Sequence, residues 1–338
     1  MLPAIAASDA KKPLPQEADV LLRCVQVQRL DTPFVNRRCN SVSKSTTGLT
    51  VGGIGLYRKR FTITRSRADQ QVEIRFDGVY KDAEVWLNGI LLGSRHFGYT
   101  GFVFDLTPHL RLGAENVVAV RVRNEGVTSR WHSGSGIYRH VWLRETGMVR
   151  IPFGGLFITT PDISADSVRV QVNVELENRK TAERDTTVAV ELFDPSGKIV
   201  GRADQRVKLS ANGSGKTEVA FSLPRPSLWA PAHPALYRAE LLVKDGDEIS
   251  DRITSLFGVR KIEIDAKNGL RVNGESLKLK GGCVHHDNGF LGAVAIDRAE
   301  VRRVELLKAN GFNAVRCSHN PPSPAFGCDL YMLFCYII

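Results

Sequence analysis

No apolar run in this sequence approaches the roughly 18 residues of a membrane-spanning helix. Even "YMLFCYII", Tyr331 to Ile338, is far too short. The start, "MLPAIAASDAKK", has neither a basic n-region nor a proper apolar h-region, so no secretion signal is visible. Cytoplasm and periplasm both stay open as compartments. Cysteine is sparse, with six residues, no Cys-x-x-Cys pair and no histidine at zinc-finger spacing. That excludes a zinc finger, and a disulfide framework does not suit a chain this long. Cys283 and Cys317 sit in strand-like apolar runs and read as buried free thiols. The net charge of +10 invites a nucleic-acid reading, but no dense basic tract exists. Lysines and arginines spread along the whole chain, so the charge reads as a solvated surface. Nucleic acid and membrane are therefore not expected partners, and a homo-oligomer is left open.

What is present is alternation. The 338 residues exceed one ordinary core and suggest two or three domains. Residues 1–50 lack clear periodicity and read as an irregular N-terminal segment. From Leu56, "LYRKRFTI", "VEIRF", "AEVWLNGILLG" and "NVVAVRVRN" alternate apolar with polar residues. Asn88-Gly89 between two apolar triplets predicts a tight hairpin. "IYRHVWL" closes a jelly-roll sandwich over 51–148. "SVRVQVNVELEN", "TTVAVELFD", "TEVAFSLP" and "LYRAELLVKDG" then predict an immunoglobulin-like sandwich over 149–262, with Trp229 and Tyr237 as packing residues. The Gly-rich "GGIG" at 52–55 is followed by no helix, which argues against a phosphate loop.

Near Ile264 the pattern changes. "LRVNGESLKLKGGCVHH" predicts a hairpin and then a strand. "DRAEVRRVELLKANGF" predicts a helix, with Asp297 as cap, Glu300 as capping-box partner, Val301, Val304 and Leu307 as apolar stripe, and Asn310-Gly311 as stop. "NAVRC" is the next strand. Strand, helix, strand implies a parallel pair. The fold class is thus mainly β: a jelly-roll sandwich, an immunoglobulin-like sandwich, and the first βα unit of an incomplete TIM barrel over 263–338.

Two polar clusters, "HHDNG" and "RCSHN", end these two strands and would share the carboxyl-end face where barrels build their sites. One such cluster could be loop-end polar residues satisfied locally; two at equivalent positions favour a site. A metal reading of His285, His286 and Asp287 meets the objection that adjacent strand residues point to opposite sides. A set of Arg, His, Asp and Asn groups suits a sugar, whose hydroxyls both donate and accept. Pro321 and Pro322 stiffen the exit.

At this point the motifs resemble a known family. "GGIGLYRKRF", "VWLNGILLGSRHFGYTGFVFDLTPHL", "SRWHSGSGIYRHVWL", "GGCVHHDNGFLGA" and, most specifically, "NAVRCSHNPPSP" resemble glycoside hydrolase family 2, which holds β-galactosidases, β-glucuronidases and β-mannosidases. The "HHD…LGA" form with "SHNPP" leans toward the β-galactosidase-like branch. The resemblance implies a retaining hydrolase of terminal β-glycosides with a carbohydrate substrate. It implies that Arg316 lies beside the catalytic centre, that His319 contacts the glycosyl unit, and that His285 and Asp287 hold sugar hydroxyls. His286 then points away, and Asn320 belongs to the substrate rim where the family often has an aromatic. Arg130, Trp131 and His132 read as a loop packing the jelly roll on the barrel. The acid/base and nucleophile glutamates, and the magnesium ligands of full-length relatives, would lie beyond residue 338, so this chain would carry no cofactor and be inactive alone. Leu56 stands where the family usually has Trp, and "GCDLYMLFCYII" departs from the expected helix and third strand. A truncated or frame-shifted reading frame, or a degraded gene, would account for both. The rival reading is a non-catalytic carbohydrate-binding or scaffold protein of two β-sandwiches.

Overall fold

The computed structural model describes residues 17–19, 53–64, 69–125, 135–164, 166–286, 288, 291–327 and 336–337. Alternating side chains make the first sandwich. One sheet runs Gly53–Thr62, Glu115–Asn124, Ala83–Leu87, Ile90–Arg95; the other runs Glu17–Asp19, Val141–Thr146, Gln71–Phe76, Phe102–Asp105. All pairs are antiparallel. The inward positions, among them Ile74, Phe76, Val85, Leu87, Val118, Val120 and Val141, fill one core. Asn88 and Gly89 both take positive φ, 52° and 87°, as the predicted tight hairpin requires. The Asn88 side chain ties that turn down, accepting from the Val117 amide and donating to Asn116. The strand Glu17–Asp19 falls within the segment read as irregular; three residues are too few to show a period.

The second sandwich repeats the scheme. Its four-stranded sheets are built around Ser167–Asn178 and Arg184–Phe193, whose burial alternates along their length. Trp229 and Tyr237 are buried, as expected of packing residues. A small antiparallel sheet, Ile262–Asp265, Gly269–Val272 and Glu275–Ser276, follows, turning at Asn273-Gly274 with positive φ at both.

The chain then makes parallel strands Gly281–Val284 and Ala314–Cys317, joined by the helix Asp297–Ala309. Tyr336–Ile337 adds a third parallel strand beside Ala314–Val315. Gly281 is required here, because a Cβ would stand 2.2 Å from the Ala314 carbonyl oxygen. The helix ends in a Schellman motif: the Phe312 amide donates to Leu307 and the Gly311 amide, at φ 80°, to Lys308. Its start differs from the expected capping box. The N-cap is Ile296 and has no side-chain cap. Asp297 instead receives His140 at 2.7 Å, and Glu300 turns inward to Asn288 at 2.6 Å. Tertiary partners have claimed both carboxylates, which still sit favourably at the helix's positive end. Val304 and Leu307 pack with Val315 and Phe326; Val301 stays outside that cluster.

The sandwiches are joined by buried charge. Arg144, on the closing strand of the first, makes two bonds to Asp251 of the second, at 2.7 and 2.9 Å. Asp251 is wholly buried and also accepts from the Ile151 amide. Arg150 bridges Glu73 at 2.5 Å and Glu177 at 3.3 Å. Removing one partner of such a pair strands the other charge out of water. Asp251→Ala should therefore lower unfolding free energy by about 3–5 kcal/mol, whereas joint replacement, Arg144→Met with Asp251→Leu, should cost much less. Urea denaturation checks this; equal losses would mean that packing, not charge pairing, holds the interface.

Candidate functional site

Strand alternation places the site residues. Val284, Val315 and Cys317 pack toward the helix. Their neighbours Cys283, His285 and Arg316 therefore face the other way. Arg316 is exposed there, its guanidinium 3.7 Å from the Cys283 sulfur. Ser318 closes the second strand, its amide donating to the Val284 carbonyl at 3.0 Å. The two polar clusters thus end side by side, and the His285 and His319 rings stand 5.8 Å apart at 86°. His286 points back into the first sandwich, against Tyr99 at 5.2 Å and Tyr138 at 6.0 Å. The two adjacent histidines do not share one centre. Among the described residues no group of three or more His, Cys, Asp or Glu could hold a metal ion. Asp287 and the trio Arg130, Trp131, His132 lie outside the described residues.

Cys283 departs from the buried thiol expected. It is exposed, because the helix covers only one face of the strand pair. A hydrogen bond with Ser318, and then the Arg316 guanidinium, hold its thiol below the ordinary range. Cys317, on the covered face, is pushed up by burial.

Behind the rim, the first sandwich and the helix hold the strand ends. Arg303 donates to the His285 carbonyl at 2.9 Å. Glu300 lies 4.0 Å from Arg303 and accepts from Asn288 of the "HHDNG" loop. The Tyr138 hydroxyl donates to the Gly98 carbonyl, and burial pushes its pKa up to about 12. Arg139, almost wholly buried, donates to the carbonyls of Tyr99 at 3.1 Å, Asp77 at 3.4 Å and Pro321 at 2.6 Å. Sequence reasoning missed Arg139, although a cation inside the apolar "IYRHVWL" was a visible signal. A cavity of about 20 Å³ lies among Tyr138, Arg139, His286, Glu300, Cys317 and Asn320. It has room for about one water and none for a sugar ring. The face of the strand ends that carries Arg316 and His319, by contrast, is open.

Comparison with known proteins decides the family. The models "Glycosyl hydrolases family 2, sugar binding domain", "Glycosyl hydrolases family 2" and "Glycosyl hydrolases family 2, TIM barrel domain" match residues 25–150, 150–260 and 262–335 in turn. The chain belongs to glycoside hydrolase family 2. It is 39% identical over 282 residues to the β-galactosidase BoGH2A of Bacteroides ovatus, covering 82% of this chain and 33% of that one. It is 28% identical to a β-glucuronidase of Formosa agariphila, over 80% of this chain and 30% of the relative. A crystal structure of a family 2 member from Bacteroides cellulosilyticus superposes with a TM-score of 0.86 at 40% identity, covering 91% of this chain and 40% of its own. The chain thus spans about a third of the curated relatives it matches. Within the family, the three-stranded parallel sheet is the opening of the barrel.

Burial holds the Glu300 carboxyl above its ordinary range, against the pull of Arg303 and Asn288. A carboxyl raised in the fold keeps its proton longer than in the unfolded chain. Its contribution to stability therefore falls as pH rises from the ordinary glutamate value through the raised one. Glu300→Gln should flatten that part of the stability–pH curve, because its amide oxygen still accepts from Asn288. Glu300→Ala leaves Asn288 without its acceptor and should cost about 1–3 kcal/mol. Thermal denaturation between acid and neutral pH checks both; a wild-type curve parallel to that of Glu300→Gln would place the titrating group elsewhere.

Proposed function

We propose that this chain supplies the glycone-binding rim of a retaining hydrolase of terminal β-galactosides, whose acid/base and nucleophile glutamates come from barrel segments outside residues 1–338. The observation that carries the proposal is the open face shared by His285, Arg316 and His319 at the carboxyl ends of adjacent parallel strands. Imidazoles can donate and accept, and the guanidinium donates in a fixed plane, a mixture suited to a ring of hydroxyls. Asp287 and Asn320 would add further contacts to the sugar. The β-galactosidase relative at 39% identity favours a galactoside over a glucuronide as glycone.

Retaining hydrolysis needs two carboxyl groups roughly 5 Å apart, one to protonate the leaving oxygen and one to attack the anomeric carbon. The described carboxylates nearest the rim are already engaged. Glu300 is buried against Asn288 and Arg303, and Asp297 is bonded to His140. Neither faces the rim, so neither of these two carboxylates supplies the proton transfer or the nucleophilic attack, and the role proposed for the rim is to bind and orient the sugar.

Two measurements test this. A non-hydrolysable β-thiogalactoside should shift the imidazole resonances of His285 and His319 and leave that of His140 in place. The 338-residue protein should not hydrolyse an aryl β-galactoside in a host without its own enzyme. No shift with any glycoside would remove the rim. Turnover blocked by a specific β-galactosidase inhibitor would show that a carboxylate pair lies within these residues.

A further inference from the structure

The rim contains a backbone problem that its own residues do not solve. Asn320 is followed by Pro321 and Pro322, neither of which has an N–H. Prolines restrict torsions without fixing where the segment sits. At Pro321 the carbonyl is the one backbone group able to hold a hydrogen bond. Arg139 takes it, through Nη2 at 2.6 Å, across 182 residues of sequence.

The same guanidinium binds two further carbonyls with Nη1, at Asp77 and Tyr99, both in loops of the first sandwich. It is therefore locked to the sandwich before it reaches the rim. Its charge is nearly out of water, and Glu300 on the helix opposes it through space. Burying a cation is costly unless it is hydrogen-bonded and paired, so the side chain has little freedom to move. A fixed fork of donors holding a proline pair with no backbone donors of its own is a tether.

We infer that Arg139 is a positioning residue of the glycone rim: by holding the Pro321 carbonyl, it sets the place of His319 and Asn320 relative to His285. Resting on the glycoside reading above, this adds a residue from the sugar-binding sandwich that touches no sugar. Without the tether, the segment from Ser318 to Ser323 keeps its torsional stiffness and loses its register with the neighbouring strand end.

The test uses the full 338-residue chain. Amide hydrogen exchange reads rim order through Ser318, bonded to Val284, and Gly327, bonded to Ser323. Arg139→Met should lower protection at both about tenfold and weaken thiogalactoside binding by about the same factor. Arg139→Lys keeps the buried charge for folding but has no fork for three carbonyls, and should show the same losses. Asp297→Ala breaks the His140 contact in the same interface without touching the rim, and should leave protection at the wild-type level. Wild-type protection in folded Arg139→Lys would overturn the assignment. So would an equal loss in Asp297→Ala, because the interface as a whole would then order the rim. If the wild-type chain binds no thiogalactoside, the glycoside reading fails while exchange still decides the tether. If sugar binds and exchange is unchanged in Arg139→Lys, the tether fails and the glycoside reading stands.

Discussion

The closing strand of the first sandwich, with the residues leading into it, governs how the three parts of this chain meet. Its interior obeys ordinary alternation: Val141 and Leu143 enter the core. Its polar positions do the joining. Arg139 and His140 reach the barrel's opening at Pro321 and Asp297. Arg144 reaches the second sandwich at Asp251. Both arginines are largely buried, so each contact is demanding in geometry: a misplaced partner leaves a charge out of water without compensation. Charge here contributes less to net stability than to uniqueness of arrangement, since apolar surfaces can slide and a forked guanidinium cannot.

That constraint sets the described residues of a sugar-binding-type sandwich behind the barrel rim. Tyr138, Arg139 and His286 close the space behind the rim down to about one water. The wall is therefore filled from the sandwich side and open on the other. His286, adjacent to His285 of the strand end, is part of the wall, packed on Tyr99 and Tyr138. Two neighbouring histidines thus have opposite roles for no deeper reason than the twofold alternation of a strand.

Local pattern made much of this legible. The two Asn-Gly turns, at Asn88 and Asn273, adopt the positive φ pairs that their residues invite. The parallel pair, the helix between its strands and the Gly311 stop follow from short-range signals, as does the meeting of His285 with His319. Apart from the short strand Glu17–Asp19, the failures are tertiary. Asp297 and Glu300 have the spacing of a capping box, yet each finds a better partner across an interface. Cys283 looks like a core thiol in one dimension, but only one face of its strand is covered. Arg139 is visible only as a cation inside an apolar run, and nothing local names its partner, a carbonyl 182 residues away.

Engagement of the acidic groups has a chemical consequence for the rim. A carboxylate that protonates a leaving group must be free to exchange its proton, and one that attacks an anomeric carbon must be unencumbered on one oxygen. Asp297 is tied to His140, and Glu300 is enclosed behind the strand ends. Their interactions orient elements, which asks for fixed bonds. Catalysis asks for bonds that form and break. The open face instead presents Arg316 and two imidazoles, groups that draw a polar ring into one orientation and favour negative charge beside it. A carboxylate arriving opposite Arg316 would be held ionised by that guanidinium. In the proposed rim such a carboxylate would be ready to act as a nucleophile, while buried Glu300 and exposed Asp297 hold the elements behind it in place.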